Sequence, residues 1–188
     1  MEMEPLKNLL FRVTGSYRSL QSASDTFSLD YYDENGNITG HISQPEIEFS
    51  IHYTPGKKVS GYGVERMSLN DGKYPTFIFN YSHGFKGFMG GDFDYDKIQG
   101  LYHQPINIGG FGRFSSIIEA GTIFDPLPLG LLNPIPGNQS YFSIYNTFTQ
   151  LDYYEFVSDT YTAWHLQHDF GGRILSRIPL LKKLSLRE

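Results

Sequence analysis

The chain has 188 residues, 39% hydrophobic and 19% charged, with 20 Gly, 14 Tyr, 15 Phe and a net charge of -5. The length fits one domain, residues 1–188, and the acidic balance argues against a nucleic-acid surface, which needs a basic stripe. The lack of cysteine excludes disulfide frameworks and thiolate metal sites, and no apolar run approaches the ~20 residues of a membrane-spanning helix.

Alternation with period two dominates and predicts an all-β chain. Leu9, Phe11, Val13 and Tyr17 fall on one face, with Arg12, Thr14, Ser16 and Arg18 on the other. Phe27, Leu29 and Tyr31 then alternate with Thr26, Ser28 and Asp30, and DENGN (33–37) carries the Asn-Gly signal of a hairpin turn. The plainest strand is 46–54, where Ile47, Phe49, Ile51 and Tyr53 oppose Glu46, Glu48, Ser50, His52 and Thr54. Further strands are predicted at 76–83, 93–104, 110–124, 140–148 and 160–170, separated by glycine-rich or proline-rich breaks. About eight strands therefore meet in sequence order as antiparallel neighbours.

Two architectures accept this pattern. A soluble β-sandwich or lipocalin-like barrel turns the apolar face inward and binds a carbohydrate or lipid through its many Tyr and Phe. A transmembrane barrel turns that face to lipid and lines its interior with polar groups. Several runs reach the ~9–11 residues that cross a bilayer at a tilt. Aromatics near predicted strand ends (Tyr17, Tyr53, Tyr95, Tyr102, Phe124, Tyr141, Phe148, Tyr161, Phe170) suit interfacial girdles. Alternation itself does not separate inside from outside.

Candidate sites are few. Asp92, Asp94 and Asp96 in GGDFDYDK offer hard oxygen ligands for calcium, but alternation places all three on one polar face, and no bidentate Glu closes the loop. DENGN reads more economically as a turn than as a calcium loop. His165 and His168 are three apart, which on a strand sends them to opposite faces and argues against a shared zinc. His41, His52, His83 and His103 show no partner in the sequence. Glu155 and Asp159 resemble a glycosidase carboxylate pair, yet a loop held by acidic side chains on backbone amides is the plainer account. Tyr153, Tyr154, Phe156 and Tyr161 would pack that loop into the mouth of the barrel. Arg173, Arg177, Lys182 and Lys183, flanked by Ile178, Leu180, Leu181 and Leu184, fit a headgroup layer and equally a short amphipathic turn or helix between strands. The Asn138 sequon matters only in a eukaryotic secreted protein.

From 46 to 188 a set of motifs stands out: Tyr-x-x-Gly-x-Lys-Gly (Tyr81, Gly84, Lys86, Gly87), Ala-Gly-x-Ile (Ala120, Gly121) and Pro-x-x-Leu-Leu (Pro128, Leu131, Leu132). They continue with Gly137-Asn138, Tyr-Glu-Phe-x-Ser-Asp (Tyr154, Glu155, Phe156, Ser158, Asp159), and Pro179-Leu180-Leu181 followed by Arg187. The stretch resembles a family of Gram-negative outer-membrane proteins of unknown function. Its members carry a carboxypeptidase-regulatory-like domain followed by a large barrel related to the BamA-type surface-antigen superfamily. The resemblance implies a non-enzymatic outer-membrane protein with no cofactor and no metal. Its partners would be outer-membrane lipid, the remaining strands of a parent barrel and an unknown cargo or periplasmic protein. It implies a role in transport or outer-membrane assembly, and a chain that is an internal fragment, an open curved sheet. None of the marking residues has a chemical role in the resemblance.

Overall fold

The computed structural model describes residues 1–22, 28–33, 36–60, 67–69, 73–138, 147–152 and 155–174. These residues are all-β, and no helix among them is long and apolar enough to cross a membrane. The strands are β1 (Glu2–Leu6), β2 (Leu9–Gln21), β3 (Tyr31–Tyr32), β4 (Ile38–Thr39), β5 (His41–Tyr53), β6 (Lys58–Ser60) and β7 (Met67–Leu69). They continue with β8 (Thr76–Gly84), β9 (Tyr95–Asn107), β10 (Arg113–Ile123), β11 (Asn133–Pro134), β12 (Val157–Ser158) and β13 (Thr160–Asp169).

Seven of them form one antiparallel meander in the order β1-β2-β5-β8-β9-β10-β13, and the short strands pair as β3 with β4, β6 with β7 and β11 with β12. The outer strands β1 and β13 are not hydrogen-bonded to each other, so among the described residues the sheet is open. Its strands are long. β2, β5 and β9 each have 13 residues, about 43 Å at the usual rise.

Four predicted strands, 76–83, 93–104, 110–124 and 160–170, are β8, β9, β10 and β13, with ends displaced by at most three residues. The strand predicted at 46–54 begins earlier, at His41, because Pro45 does not break it. Pro45 O accepts from Phe85 N (3.1 Å). The missing proline donor points to that same side, where β8 has just ended and no ladder bond is lost.

Two differences revise the strand count. β1 joins the sheet outside the predicted strands, since the alternation of Met1 and Met3 with Glu2 and Glu4 is too short to mark one. It is held by backbone pairing to β2 and by the Arg12–Glu2 pair at 3.3 Å. The segment predicted as a strand at 27–31 contributes only β3, whose hairpin with β4 stands off the sheet around DENGN. There Asn37 N donates to Asp33 Oδ1 (2.7 Å) and Gly36 takes φ 81°, the turn chemistry that the tract calls for. Phe27 and most of the strand predicted at 140–148 lie outside the described residues. Phe148 makes an isolated bridge to Gly137.

A compact apolar cluster sits at one end of the sheet. Ile42, Tyr95, Ile123 and Leu131 are buried together, with Leu20, Tyr31, Phe93, Leu127 and Leu132 packed against them. Leu131 comes from a 3-10 turn, Leu129–Leu131, in the long connection after β10. That connection folds back over the end of the sheet.

Candidate functional site

The long strands carry two chemically distinct faces. Cross-strand register places Phe11, Ile51, Phe79 and Gly100 in one row, and Tyr53, Phe77, Tyr102, Ile118 and Trp164 in another, all on one face. Rings stack along these rows, Tyr53 with Phe77 at 6.3 Å and Phe77 with Tyr102 at 4.8 Å between centroids. The opposite face presents Arg12, Glu48, Ser50, His52, Asn80, Gln99 and Glu119. Burial runs against polarity. Phe49 and Phe79 are 45% and 44% exposed, whereas the neighbouring Ser50 and Ser82 on the polar face are 4% and 2% exposed.

The polar face forms a cleft of about 330 Å³. Its lining spans six consecutive strands of the sheet, from Arg12 on β2 to Tyr161 on β13. Side chains on six strands reach one cleft only if the sheet curls around it. Within it Ser50 Oγ donates to Asn80 Oδ1 (2.6 Å) and Gln99 Nε2 donates to the Tyr161 hydroxyl (3.1 Å). Nearer the capped end Arg18 Nη2 donates to Glu46 Oε2 (2.7 Å) and to the Tyr95 hydroxyl (3.0 Å), while that hydroxyl donates to Glu46. The wall thus combines charge of both signs with amides and hydroxyls, and Ile78 and Leu101 complete its lining.

At the capped end the connection between β8 and β9 is tied to β5. Gln44 is fully buried, donates from Nε2 to Phe93 O (3.0 Å) and accepts from Phe93 N at Oε1 (3.2 Å). Asp92 Oδ2 accepts from Ser43 N (2.7 Å). Beside it a cleft of about 400 Å³ is lined by Tyr31, Asp33, Lys86, Asp92, Asp94 and Asp125 among others. Burial, with the Asp92 and Asp33 carboxylates nearby, holds the Tyr31 hydroxyl above its ordinary range.

A family model described as "Family of unknown function (DUF5686) C-terminal domain" matches residues 18–188. The chain belongs to this family. Neither the curated proteins nor the solved structures contain a match to it.

The marking residues of this DUF5686 C-terminal domain gather mostly at its capped end. Tyr81, Gly84, Lys86 and Gly87 lie at the β8–β9 end. Gly84 is buried where an added Cβ would stand 2.3 Å from Tyr95 Cε1. Ala120 pairs with Gly100 on the aromatic face, and Gly121 lies on the polar face against the Tyr161 ring. Pro128 O accepts from Leu131 N (2.9 Å), which sets the turn that buries Leu131, and Leu132 packs beside it. Gly137 lies against Leu151 O, and Asn138 N donates to Leu151 O (3.1 Å). Glu155 Oε2 accepts from Asp152 N (2.9 Å), Asp159 Oδ1 accepts from Thr160 N (2.6 Å), and Ser158 Oγ donates to Thr160 O. Tyr154, Pro179, Leu180, Leu181 and Arg187 lie outside the described residues, as do Tyr153, Arg177, Lys182 and Lys183.

Several sequence readings need correction. Asp92, Asp94 and Asp96 do not share a polar face, because β9 begins only at Tyr95. Asp96 is on the aromatic face, where it accepts from the Tyr81 hydroxyl (2.6 Å) and its Oδ1 is 2.8 Å from His83 Nδ1. Asp94 Oδ1 accepts from Lys86 N (3.2 Å) and lies 3.9 Å from His83 Nε2, so the His83 ring stands between Asp94 and Asp96, while Asp92 is tied to Ser43. Phe156 is exposed, and Tyr161 sits in β13 on the polar face instead of packing the preceding loop. His165 and His168 do face apart: His165 pairs opposite Ile117, and His168 Nε2 is 2.9 Å from Phe111 O. Three histidines gain partners that sequence reasoning missed. Besides His83, His41 Nε2 meets Ser19 Oγ at 3.0 Å and His103 Nε2 meets Ser115 Oγ at 2.9 Å. Only the strand register could have found them, since each partner lies 12 to 22 residues away.

Proposed function

We propose that this domain forms part of the wall of an integral outer-membrane β-barrel, with its aromatic face toward lipid and its polar face toward a lumen. One observation carries the reading, the inversion of burial across the sheet. In a soluble sandwich Phe49, Phe79 and Trp164 would converge on a dry core, whereas here they are exposed while Ser50 and Ser82 are covered. Strands of 9 to 13 residues in β2, β5, β8, β9, β10 and β13 match the ~9–11 that a tilted strand needs to cross hydrocarbon. Aromatic groups also sit near the end away from the cap, where Arg173 lies 6.0 Å over the Phe111 ring and His168 stacks on Phe170 at 4.1 Å. Such groups are suited to headgroup depth.

The role is non-enzymatic, in transport or outer-membrane assembly, with further strands of a parent barrel and lipid as partners. The mixed-charge wall supports it as a surface past which polar cargo moves. The Ser–His pairs do not support hydrolysis, because neither His41 nor His103 meets a carboxylate among the described residues. The test is heat modifiability of the full-length protein in the outer-membrane fraction, comparing unboiled and boiled samples on a detergent gel. A boiling-dependent mobility shift is expected. Recovery as a soluble protein with no shift overturns the reading.

A further inference from the structure

The connection between β8 and β9 ends in a tight turn, Lys86-Gly87-Phe88-Met89-Gly90-Gly91, whose construction does not suit a tip in water. Phe88 and Met89 are 60% and 65% exposed. Met89 takes φ 48° and ψ 29°, a region that non-glycine residues rarely occupy, and Gly87 and Gly90 flank it at φ 77° and 80°. The conformation is held on all sides. Gly87 N donates to Gly91 O (2.7 Å) and Gly91 N to Phe88 O (2.9 Å). The base is fixed because Asp92 N donates to Ser43 O (3.0 Å), Ser43 N donates back to Asp92 Oδ2 (2.7 Å), and Gly91 is buried against Phe85 O and Pro45. A strained but well-tied turn therefore holds two large apolar side chains away from the body of the protein.

Their position links them to the aromatic face. Tyr81 and His83 point to that face on β8, and Phe85 packs edge-on against His83 at 4.5 Å. Phe88 packs against Phe85 at 6.0 Å. The ring column thus runs past the last paired residues, Gly84 and Tyr95, and out to the tip.

From this continuity we propose that the 87–91 turn is an interfacial lipid anchor. Phe88 and Met89 enter the boundary between headgroups and acyl chains. The inference rests on the membrane reading above and goes beyond it by assigning a depth and a lipid contact to one turn. Rings and thioethers suit that boundary because it accepts apolar bodies within ~5–10 Å of the headgroups.

The test labels single cysteines, which the cysteine-free chain allows. F88C, M89C and W164C are made singly in the full-length protein, with any cysteine outside these 188 residues replaced by serine, and each is tagged with an environment-sensitive fluorophore. All are reconstituted into phosphatidylethanolamine–phosphatidylglycerol vesicles carrying a spin label either near the headgroup or near the chain end. Tags at 88 and 89 should be quenched more by the shallow label, as for a group at the acyl boundary, and the tag at 164 more by the deep one. Quenching at 164 with none at 88 or 89 overturns the anchor and leaves the membrane reading standing. Deeper quenching at 88 and 89 also overturns it. No quenching at any position overturns both.

Discussion

Gly84 and Gly91 sit where no side chain fits. At Gly91 a Cβ would stand 1.9 Å from Phe85 O, a backbone atom that cannot swing away. Replacement with alanine should cost about 1–3 kcal/mol, the usual penalty for overpacking a tight site. Gly87 has open space around its missing Cβ but φ 77°, so G87A should cost only about 1–2 kcal/mol, from left-handed strain. The temperature at which each variant converts to the boiled form on a gel should rank them wild type, G87A, G91A from highest to lowest; equal values for the two variants would refute the packing argument. Glu46 is a second residue whose removal should be costly. Its carboxylate accepts from both Arg18 and the Tyr95 hydroxyl, and Tyr95 is 2% exposed. E46A strands a buried hydroxyl proton, and about 1–3 kcal/mol should be lost. E46Q keeps an acceptor and should lose less. If the two variants melt together in the same assay, the network contributes little.

At the scale of the element, the alternation along β8 makes the membrane reading testable in one strand. Phe79 and Asn80 are adjacent, yet Phe79 lies on the aromatic face and Asn80 on the polar face, bonded to Ser50. If lipid covers Phe79, F79K places an ammonium in hydrocarbon at about 2–4 kcal/mol. If water covers it, the same change at an exposed site should stay within about 0.5 kcal/mol. Loss of the heat-modifiable form in F79K, with N80S retaining it, is the expected result. Equal tolerance of both would favour a water-exposed sheet. The elements also show where reading by alternation stops. β8 declared itself through Phe77, Phe79 and Tyr81 at every second position, and β9, β10 and β13 through runs set off by glycine-rich or proline-rich breaks. β1 did not, because Glu2–Leu6 earns its place through backbone pairing at the edge of β2. β5 ran five residues past its predicted start because the cost of a proline depends on which neighbour its missing donor faces.

For the molecule as a whole, the outer edges of β1 and β13 matter most, since neither strand has a second neighbour among the described residues. Such edges in hydrocarbon would leave backbone groups unsatisfied at several kcal/mol each, so the proposal requires further strands to cover them. Hydrogen exchange on the intact protein checks this. Amides of β13 that point away from β10 should exchange as slowly as those of β9, which has β8 and β10 on its two sides. Fast exchange on that side of β13 alone would mean that the edge is bare and the barrel proposal fails.

The sequence by itself determined the all-β class, the antiparallel order of the strands and the two-faced chemistry of the sheet. These follow from a backbone period of two residues and from turn residues such as those of DENGN, which act locally. Only the tertiary structure decided which face is covered. Alternation is symmetric between inside and outside, and the sign of the curl depends on how six strands pack together around Ser50, Asn80 and Gln99. The partners of His83, His103 and Glu46 also had to await the structure, because each is set by cross-strand register and not by neighbours along the chain. So did the Phe88–Met89 tip, whose exposure follows from the tethering of a distant β5 to its base.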